Sequence, residues 1–239
     1  MTAKLKVLVT GATGKQGGHV VRELLARGHS VRALTRKPES PAAAAAGVSH
    51  LVYSSVAGAD RGTGIPHFDS KFAVEKEIRK SGVPFTIVAP VFFMENFLAD
   101  WMAPGIATGS IAMALPATRR LQQIAVADIA RFTALVIERR EGFLGRRIDI
   151  ASDELTLTTT AAVISEVSGR HIEYTALPID SVRQWNEDQA RMLEWFDRVG
   201  YDADVVGLRA MYPEVDWHRF SNWARAQGPS WAQTPIAGR

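Results

Sequence analysis

The pattern of apolar and polar positions predicts alternating strands and helices from the first residues onward. An apolar run, Val7-Leu8-Val9, is typical of a buried strand. It leads into a turn with glycines at positions 11, 14 and 17, and an amphipathic stretch over 20–27 predicts a helix that stops at Gly28. A further apolar segment over 30–35 completes a predicted strand–helix–strand unit.

The same alternation continues through most of the chain. Further strands are predicted over 50–56, 84–90, 147–151 and 171–178, and helices over 42–46, 68–81, 123–139, 157–168, 181–199 and 216–226. This order predicts an α/β fold, a Rossmann-like doubly wound parallel sheet. We expect a Rossmann-like NAD(P)-binding domain over 1–151, with 93–122 contributing to the substrate pocket. A smaller α-rich portion over 152–239 is expected to meet the substrate or a partner.

The spacing of the first glycines favours a dinucleotide. The first glycine permits a tight turn, the second lets the backbone approach a pyrophosphate, and the third lets helix and strand pack closely. The first N–H groups of the new helix and its positive dipole end then face the phosphates. The predicted cofactor-binding residues of this loop are Gly11, Thr13, Gly14, Lys15, Gln16 and Gly17. The alternative is a glycine-rich turn that binds nothing.

The end of the second strand favours NADP(H) over NAD(H). A fold that prefers NAD usually places an acidic residue there, to bind the ribose 2′-hydroxyl. Here the residues are Arg36 and Lys37, and an arginine suits a 2′-phosphate instead. The alternative is a pair of solvated charges at a strand end.

Composition excludes several classes of function. The 239 residues carry a formal net charge of only +3, and the basic pairs are scattered without interleaved aromatic residues, so nucleic-acid binding is not predicted. Without cysteine there is no thiol nucleophile and no thiolate metal site, and no metal is predicted. The absence of a long apolar run predicts a soluble protein with no membrane contact, and the lack of cysteine fits a cytoplasmic location.

The chemistry-bearing residues lie around the third and fourth predicted strands. His67 and Lys71 are four residues apart and share a face of the predicted helix, and Ser54 lies thirteen residues before His67. Together with the glycine loop, this segment resembles the NmrA-like family of atypical short-chain dehydrogenases/reductases. The stretches that carry the resemblance are 9–18, Arg36, 53–55, 67–71, 82–86, 94–97, 128–130 and 155–156.

The resemblance implies roles for these residues. Active short-chain reductases use a tyrosine four residues before a lysine as the proton donor, and here His67 occupies the tyrosine position. Lys71 would then hold the nicotinamide ribose, while Ser54 or His67 assists proton transfer. The alternatives are a solvated charge for Lys71 and a backbone-bonded residue at a helix start for His67.

The resemblance also implies that Phe92, Phe93 and Asn96 flank the nicotinamide. Ordinary core packing is the alternative for these three residues. Phe92 is included among the predicted cofactor-binding residues.

Three functions follow from the resemblance. The first is an NADP(H)-dependent oxidoreductase that acts on a small aromatic or quinone-like acceptor. The second is a non-catalytic redox sensor that binds the dinucleotide and regulates a protein partner, and the missing tyrosine favours it. The third is a shortened relative that does neither. The oligomeric state is left open.

One departure from the family pattern concerns the fold itself. Two strand–helix units, roughly 50–60 residues at the usual size of such units, are missing between Pro38 and Ala45. The strand over 51–55 would then take the place beside the first strand. This predicts the strand order 2-1-3-4 in a shortened sheet.

Overall fold

The computed structural model describes residues 4–34 and 48–232. The described strands are β1 (Lys6–Thr10), β2 (Ser30–Leu34), β3 (Leu51–Ser54), β4 (Phe85–Pro90), β5 (Phe92–Phe93), β6 (Ser110–Met113), β7 (Arg120–Ile124), β8 (Arg147–Ile150), β9 (Asp153–Thr156) and β10 (Glu173–Ala176). The α-helices are α1 (Lys15–Ala26), α2 (Pro66–Lys80), α3 (Ala103–Ala107), α4 (Val126–Glu138), α5 (Leu157–Ser168), α6 (Ile179–Arg183), α7 (Glu187–Arg198), α8 (Val205–Met211) and α9 (Phe220–Gln227). None of these helices is long and apolar enough to span a bilayer.

The strands form an α/β architecture with parallel pairing at its centre. β1 pairs with β2, and β3, β4 and β8 form a second parallel set in the order β3-β4-β8. The other two sheets are β5-β7-β9, with three strands, and β6-β10, with two. Because β9 pairs with β7 and β10 with β6, the portion after residue 152 is joined to residues 110–124 by backbone hydrogen bonds.

The predicted order 2-1-3-4 is wrong at its middle step. Among the described residues, no hydrogen-bonded ladder joins β1 to β3. Helix packing places the β1–α1–β2 unit instead, because Val20 and Leu24 of α1 form a small core with Ala130 and Ala134 of α4. Arg27, next to the end of α1, also donates to Glu138 at the end of α4, at 2.8 Å.

The exposure of β1 reflects this arrangement. Val9 is buried, but the Leu8 side chain is 58% exposed. The prediction that Val7-Leu8-Val9 forms a buried strand is therefore wrong at Leu8. A central strand of a parallel sheet is covered on both faces, whereas the described residues that pack on β1 are those of α1 and α4 on one face.

Several predicted elements have different bounds in the structure. Residues 120–124, of which 123–124 were expected to open a helix, form β7, and α4 begins only at Val126. The Glu95 carboxylate accepts the Val126 N–H at 3.0 Å, so a distant side chain satisfies the start of this helix. Burial raises the pKa of that carboxyl above its ordinary range.

The terminal helices also differ from the prediction. The single helix expected over 181–199 is two helices, α6 and α7, because the Asn186 side chain caps α7 by accepting the Gln189 N–H at 3.0 Å. The helix expected over 216–226 begins later, as α9, and β9 and α8 were not predicted. The bounds of α5 are as predicted, and Gly169 ends that helix with φ +67°. The predicted helix over 42–46 lies outside the described residues.

Candidate functional site

The glycine turn between β1 and α1 is folded back onto the first turn of the helix. Gly11 has φ +64°, a conformation that favours glycine, and the Gly14 N–H donates to the Gly11 carbonyl at 2.9 Å. A Cβ atom on Gly17 would lie 2.2 Å from the Gly11 carbonyl oxygen. The turn and the helix can therefore approach this closely only with glycine at position 17.

The start of α1 offers donors to an anion. Gly14, at the N-cap, provides no side-chain cap, so the first N–H groups of the helix lack the usual partner. The first turn contains no acidic residue, and the Thr13 and Lys15 side chains are exposed beside it. Free amide donors, a basic side chain and the positive end of the helix dipole fit the pyrophosphate of a dinucleotide.

Gln16 connects this loop to the third strand. Its side-chain amide donates to the Ser54 hydroxyl at 2.7 Å, from the second residue of α1 to the last residue of β3. The structure therefore brings together two regions that the sequence indicated separately. Because the Ser54 oxygen accepts this hydrogen bond, its own proton remains available for another acceptor.

Lys71 lies on α2 with its side chain partly buried. Burial lowers the pKa of its ammonium group below the ordinary value, and the Glu75 carboxylate offsets part of this effect. Within the described residues, the Lys71 ammonium has no hydrogen-bond partner. The group is therefore available to bind a ribose or another acceptor.

Glu75, one turn after Lys71, is fully buried and holds α2 against the ends of two strands. It accepts from the Ser55 hydroxyl and from the Arg147 guanidinium at 3.1 Å. Arg147 also binds Asp149 and the Val56 carbonyl. This network fixes the rotation of α2 about its axis and with it the place of Lys71.

His67 lies at the second residue of α2, one turn before Lys71. Its Nδ1 atom is 2.8 and 2.9 Å from the two carboxylate oxygens of Asp188 on α7. The His67 side chain is 42% exposed. No described group forms a hydrogen bond with its Nε2 atom.

The structure says less about the other predicted site residues, namely Phe92, Phe93, Asn96 and Arg36. Phe92 is buried, with its ring edge-to-face against Phe97 at 5.6 Å between centroids. Phe93 and Asn96 are partly buried nearby in the chain. The role of Phe92 beside a nicotinamide stays a prediction. Arg36, expected at the 2′-phosphate, lies outside the described residues.

Two residues of this region were missed by the sequence reasoning. Glu75 lies four residues after Lys71, as Lys71 lies four residues after His67, so helical periodicity places all three on one face and could have indicated Glu75. Asp188 had no such signal, because it is 121 residues from His67 and only the docking of α7 brings the two together.

The fold and the glycine loop define a class, the Rossmann-like α/β proteins with a dinucleotide-type phosphate loop. The model of the NmrA-like family matches residues 3–45 and 40–224, and the chain belongs to this family. The two matched segments overlap at residues 40–45, within the segment where two strand–helix units are expected to be missing from the sequence.

Two curated relatives are reductases. The (4-alkanoyl-5-oxo-2,5-dihydrofuran-3-yl)methyl phosphate reductase of Streptomyces griseus is 32% identical over 194 residues, which cover 75% of this chain and 67% of the relative. Quinone oxidoreductase 2 of Escherichia coli is 30% identical over 137 residues, covering 57% of this chain and 46% of its own length. This chain thus spans between about half and two thirds of their length.

Solved structures show the same fold. The NADPH-dependent quinone oxidoreductase of Escherichia coli aligns with a TM-score of 0.71 at 19% identity, over 93% of this chain and 99% of its own. NmrA, a negative transcriptional regulator solved in complex with NADP, aligns with a TM-score of 0.72 at 16% identity, over 96% of both chains.

Proposed function

We propose that this protein binds NADP(H) and reduces a small aromatic or quinone-like acceptor. The observation that carries the proposal is the hydrogen bond from Gln16 to Ser54, which connects the phosphate loop to a serine whose proton is free. A reductase has to hold its cofactor-binding loop close to the group that orients the substrate, and the hydrogen bond between Gln16 and Ser54 keeps these two parts together. The two reductases among the relatives support the choice of reaction class.

Each residue has a part in this proposal. The glycine loop and Lys15 bind the pyrophosphate, and Arg36 binds the 2′-phosphate that distinguishes NADP(H). Lys71 binds the nicotinamide ribose, and the Ser54 hydroxyl donates a hydrogen bond that orients the acceptor oxygen. The bound cofactor supplies the hydride.

The first experiment is a titration of NADPH, and separately of NADH, into the purified protein, followed by tryptophan fluorescence. We expect NADPH to bind more tightly than NADH, and Gly14→Val to abolish binding of both. Arg36→Glu is expected to weaken NADPH selectively, because it replaces the cation at the 2′-phosphate by an anion. No binding of either dinucleotide would contradict the proposal.

The second experiment is NADPH consumption with a panel of quinones. Lys71→Ala is expected to reduce turnover by about tenfold or more, since a charge-assisted hydrogen bond contributes about 1.5–3 kcal/mol. Lys80→Ala is the matched control, because Lys80 lies on the same helix with its side chain 71% exposed. Equal turnover in the two variants would exclude the assigned role of Lys71.

A redox sensor is the second candidate. The observation that favours it is the position of His67, where short-chain reductases have a tyrosine, together with the likeness in fold to a regulator solved with NADP. In this case the protein would bind NADP(H) without turnover and regulate a protein partner through the portion after residue 152. Binding without consumption of NADPH by any acceptor would favour this function.

A further inference from the structure

Two acidic side chains fix the face of α2 that carries Lys71, one on each side of Lys71. The first is Glu75, on α2 itself, which accepts a hydrogen bond from Ser55, just after β3. His67 is eight residues earlier, about 12 Å along the helix axis at 1.5 Å per residue, and it binds Asp188. His67 is thus placed one turn beyond Lys71, away from the buried network.

The hydrogen-bond chemistry determines which nitrogen of His67 carries a proton. An ionised carboxylate only accepts hydrogen bonds, so the Nδ1 atom that faces both Asp188 oxygens must be the donor. The neutral ring then has its lone pair on Nε2, and the doubly protonated ring has its second proton there. Since Nε2 has no partner within the described residues, that position is the one that can exchange a proton with a bound molecule.

The position of Asp188 is set by a buried contact rather than by a surface ion pair alone. Asp188 is in the first turn of α7, and Trp195 of the same helix packs edge-to-face on Phe68 at 5.8 Å. Phe68 is the neighbour of His67 and is 1% exposed. Docking of α7 on this ring therefore brings the Asp188 carboxylate to the imidazole.

We propose that Asp188 is a positioning residue that orients His67, and that the doubly protonated His67 ring donates its Nε2 proton to the acceptor oxygen during reduction and is left as the neutral ring with its proton on Nδ1. This inference rests on the proposed oxidoreductase function. The reaction consumes one hydride from NADPH and one proton from Nε2, and it yields NADP⁺ and the reduced acceptor. Solvent returns the proton to the ring, whose side chain is 42% exposed. The portion after residue 152 thereby completes the site.

The first test needs no cofactor and no activity. Imidazole ¹⁵N NMR of the cofactor-free protein reports which ring nitrogen is protonated, and His67→Gln assigns the signal of His67 among the six histidines. We expect the neutral ring to carry its proton on Nδ1 in the wild-type protein and to lose this preference in Asp188→Ala. Glu187→Ala is the matched control, because it removes a carboxylate from the same helix turn that does not contact His67.

The second test separates proton transfer from cofactor binding. General acid catalysis typically contributes about 10²–10⁴-fold, so Asp188→Ala is expected to lower kcat by at least about tenfold. The Kd for NADPH should stay unchanged, and Asp188→Glu should recover part of the loss. Adding Asp188→Ala to His67→Gln should cost nothing further, because both changes act on the same group.

The outcomes distinguish the two proposals. Turnover by the wild-type protein with an unchanged kcat in Asp188→Ala would overturn the role of Asp188 and leave the proposed function intact. Without turnover by the wild-type protein, the proposed function and the proton-donor role both fail. A His67 signal that is identical in the wild-type protein and in Asp188→Ala would refute the orienting role by itself.

Discussion

Replacing Gly17 by alanine should damage both the stability of the protein and its phosphate loop. The added Cβ atom would lie 2.2 Å from the Gly11 carbonyl oxygen and 2.7 Å from the Gly11 carbonyl carbon, whereas ordinary contacts begin at 3.4 Å. Both atoms belong to the backbone, so the turn has to move by about 1 Å away from α1. A flexible side chain could rotate away, but a backbone turn cannot.

The expected cost follows from the packing. Overpacking a close contact typically costs about 1–3 kcal/mol, and the helical preference of alanine over glycine returns at most about 1 kcal/mol. The displaced turn also loses the arrangement of amide donors at the start of α1. We therefore expect a lower free energy of unfolding and NADPH binding weakened by at least about tenfold, which corresponds to about 1.4 kcal/mol.

Gly18→Ala is the matched control for this prediction. A Cβ atom on Gly18 would lie 3.3 Å from the Ala12 carbonyl oxygen, which requires a shift of only a few tenths of an ångström. Urea unfolding followed by tryptophan fluorescence measures the stability of both variants, and a titration measures their affinity for NADPH. Equal stability and equal affinity in the two variants would refute the close packing of the turn on the helix.

Two further predictions concern buried charges. Glu75→Ala leaves the Arg147 guanidinium, which is 10% exposed, without one of its carboxylates, and we expect it to lower the free energy of unfolding by about 3–5 kcal/mol in urea denaturation. Glu77→Ala, at an exposed position of the same helix, should change the free energy of unfolding by less than about 0.5 kcal/mol. An equal loss of stability in Glu75→Ala and Glu77→Ala would contradict this reasoning. The hydrogen bond to the buried Asp128 raises the pKa of His218, so its stabilising contribution is full below the unfolded-state pKa of about 6.5 and is lost as pH rises through the folded-state pKa. His218→Asn should therefore lower the melting temperature more at pH 5.5 than at pH 8.5, and the same loss at both pH values would exclude this coupling.

Local features of the sequence determined much of this protein. The glycine loop and α1 were predicted because their signals, a strand end, spaced glycines and an amphipathic period, lie within about twenty residues of one another. α5 was predicted as well, and in the structure the Thr156 side chain caps its start and Gly169 ends it. Helix caps and hydrophobic periodicity depend on residues only a few positions apart, so they can be predicted from the sequence without knowing the tertiary structure.

Contacts between distant residues were decided only by the tertiary structure. The start of α4 depends on Glu95, which is 31 residues earlier, and the partner of His67 depends on the docking of α7. The exposure of Leu8 depends on which strands pair with β1, a matter of helix packing rather than of the apolar pattern of that strand. Residue types and spacing indicate which helix or strand each segment can form. Which distant segment it packs against depends on the shape and charge of the other segments of the molecule.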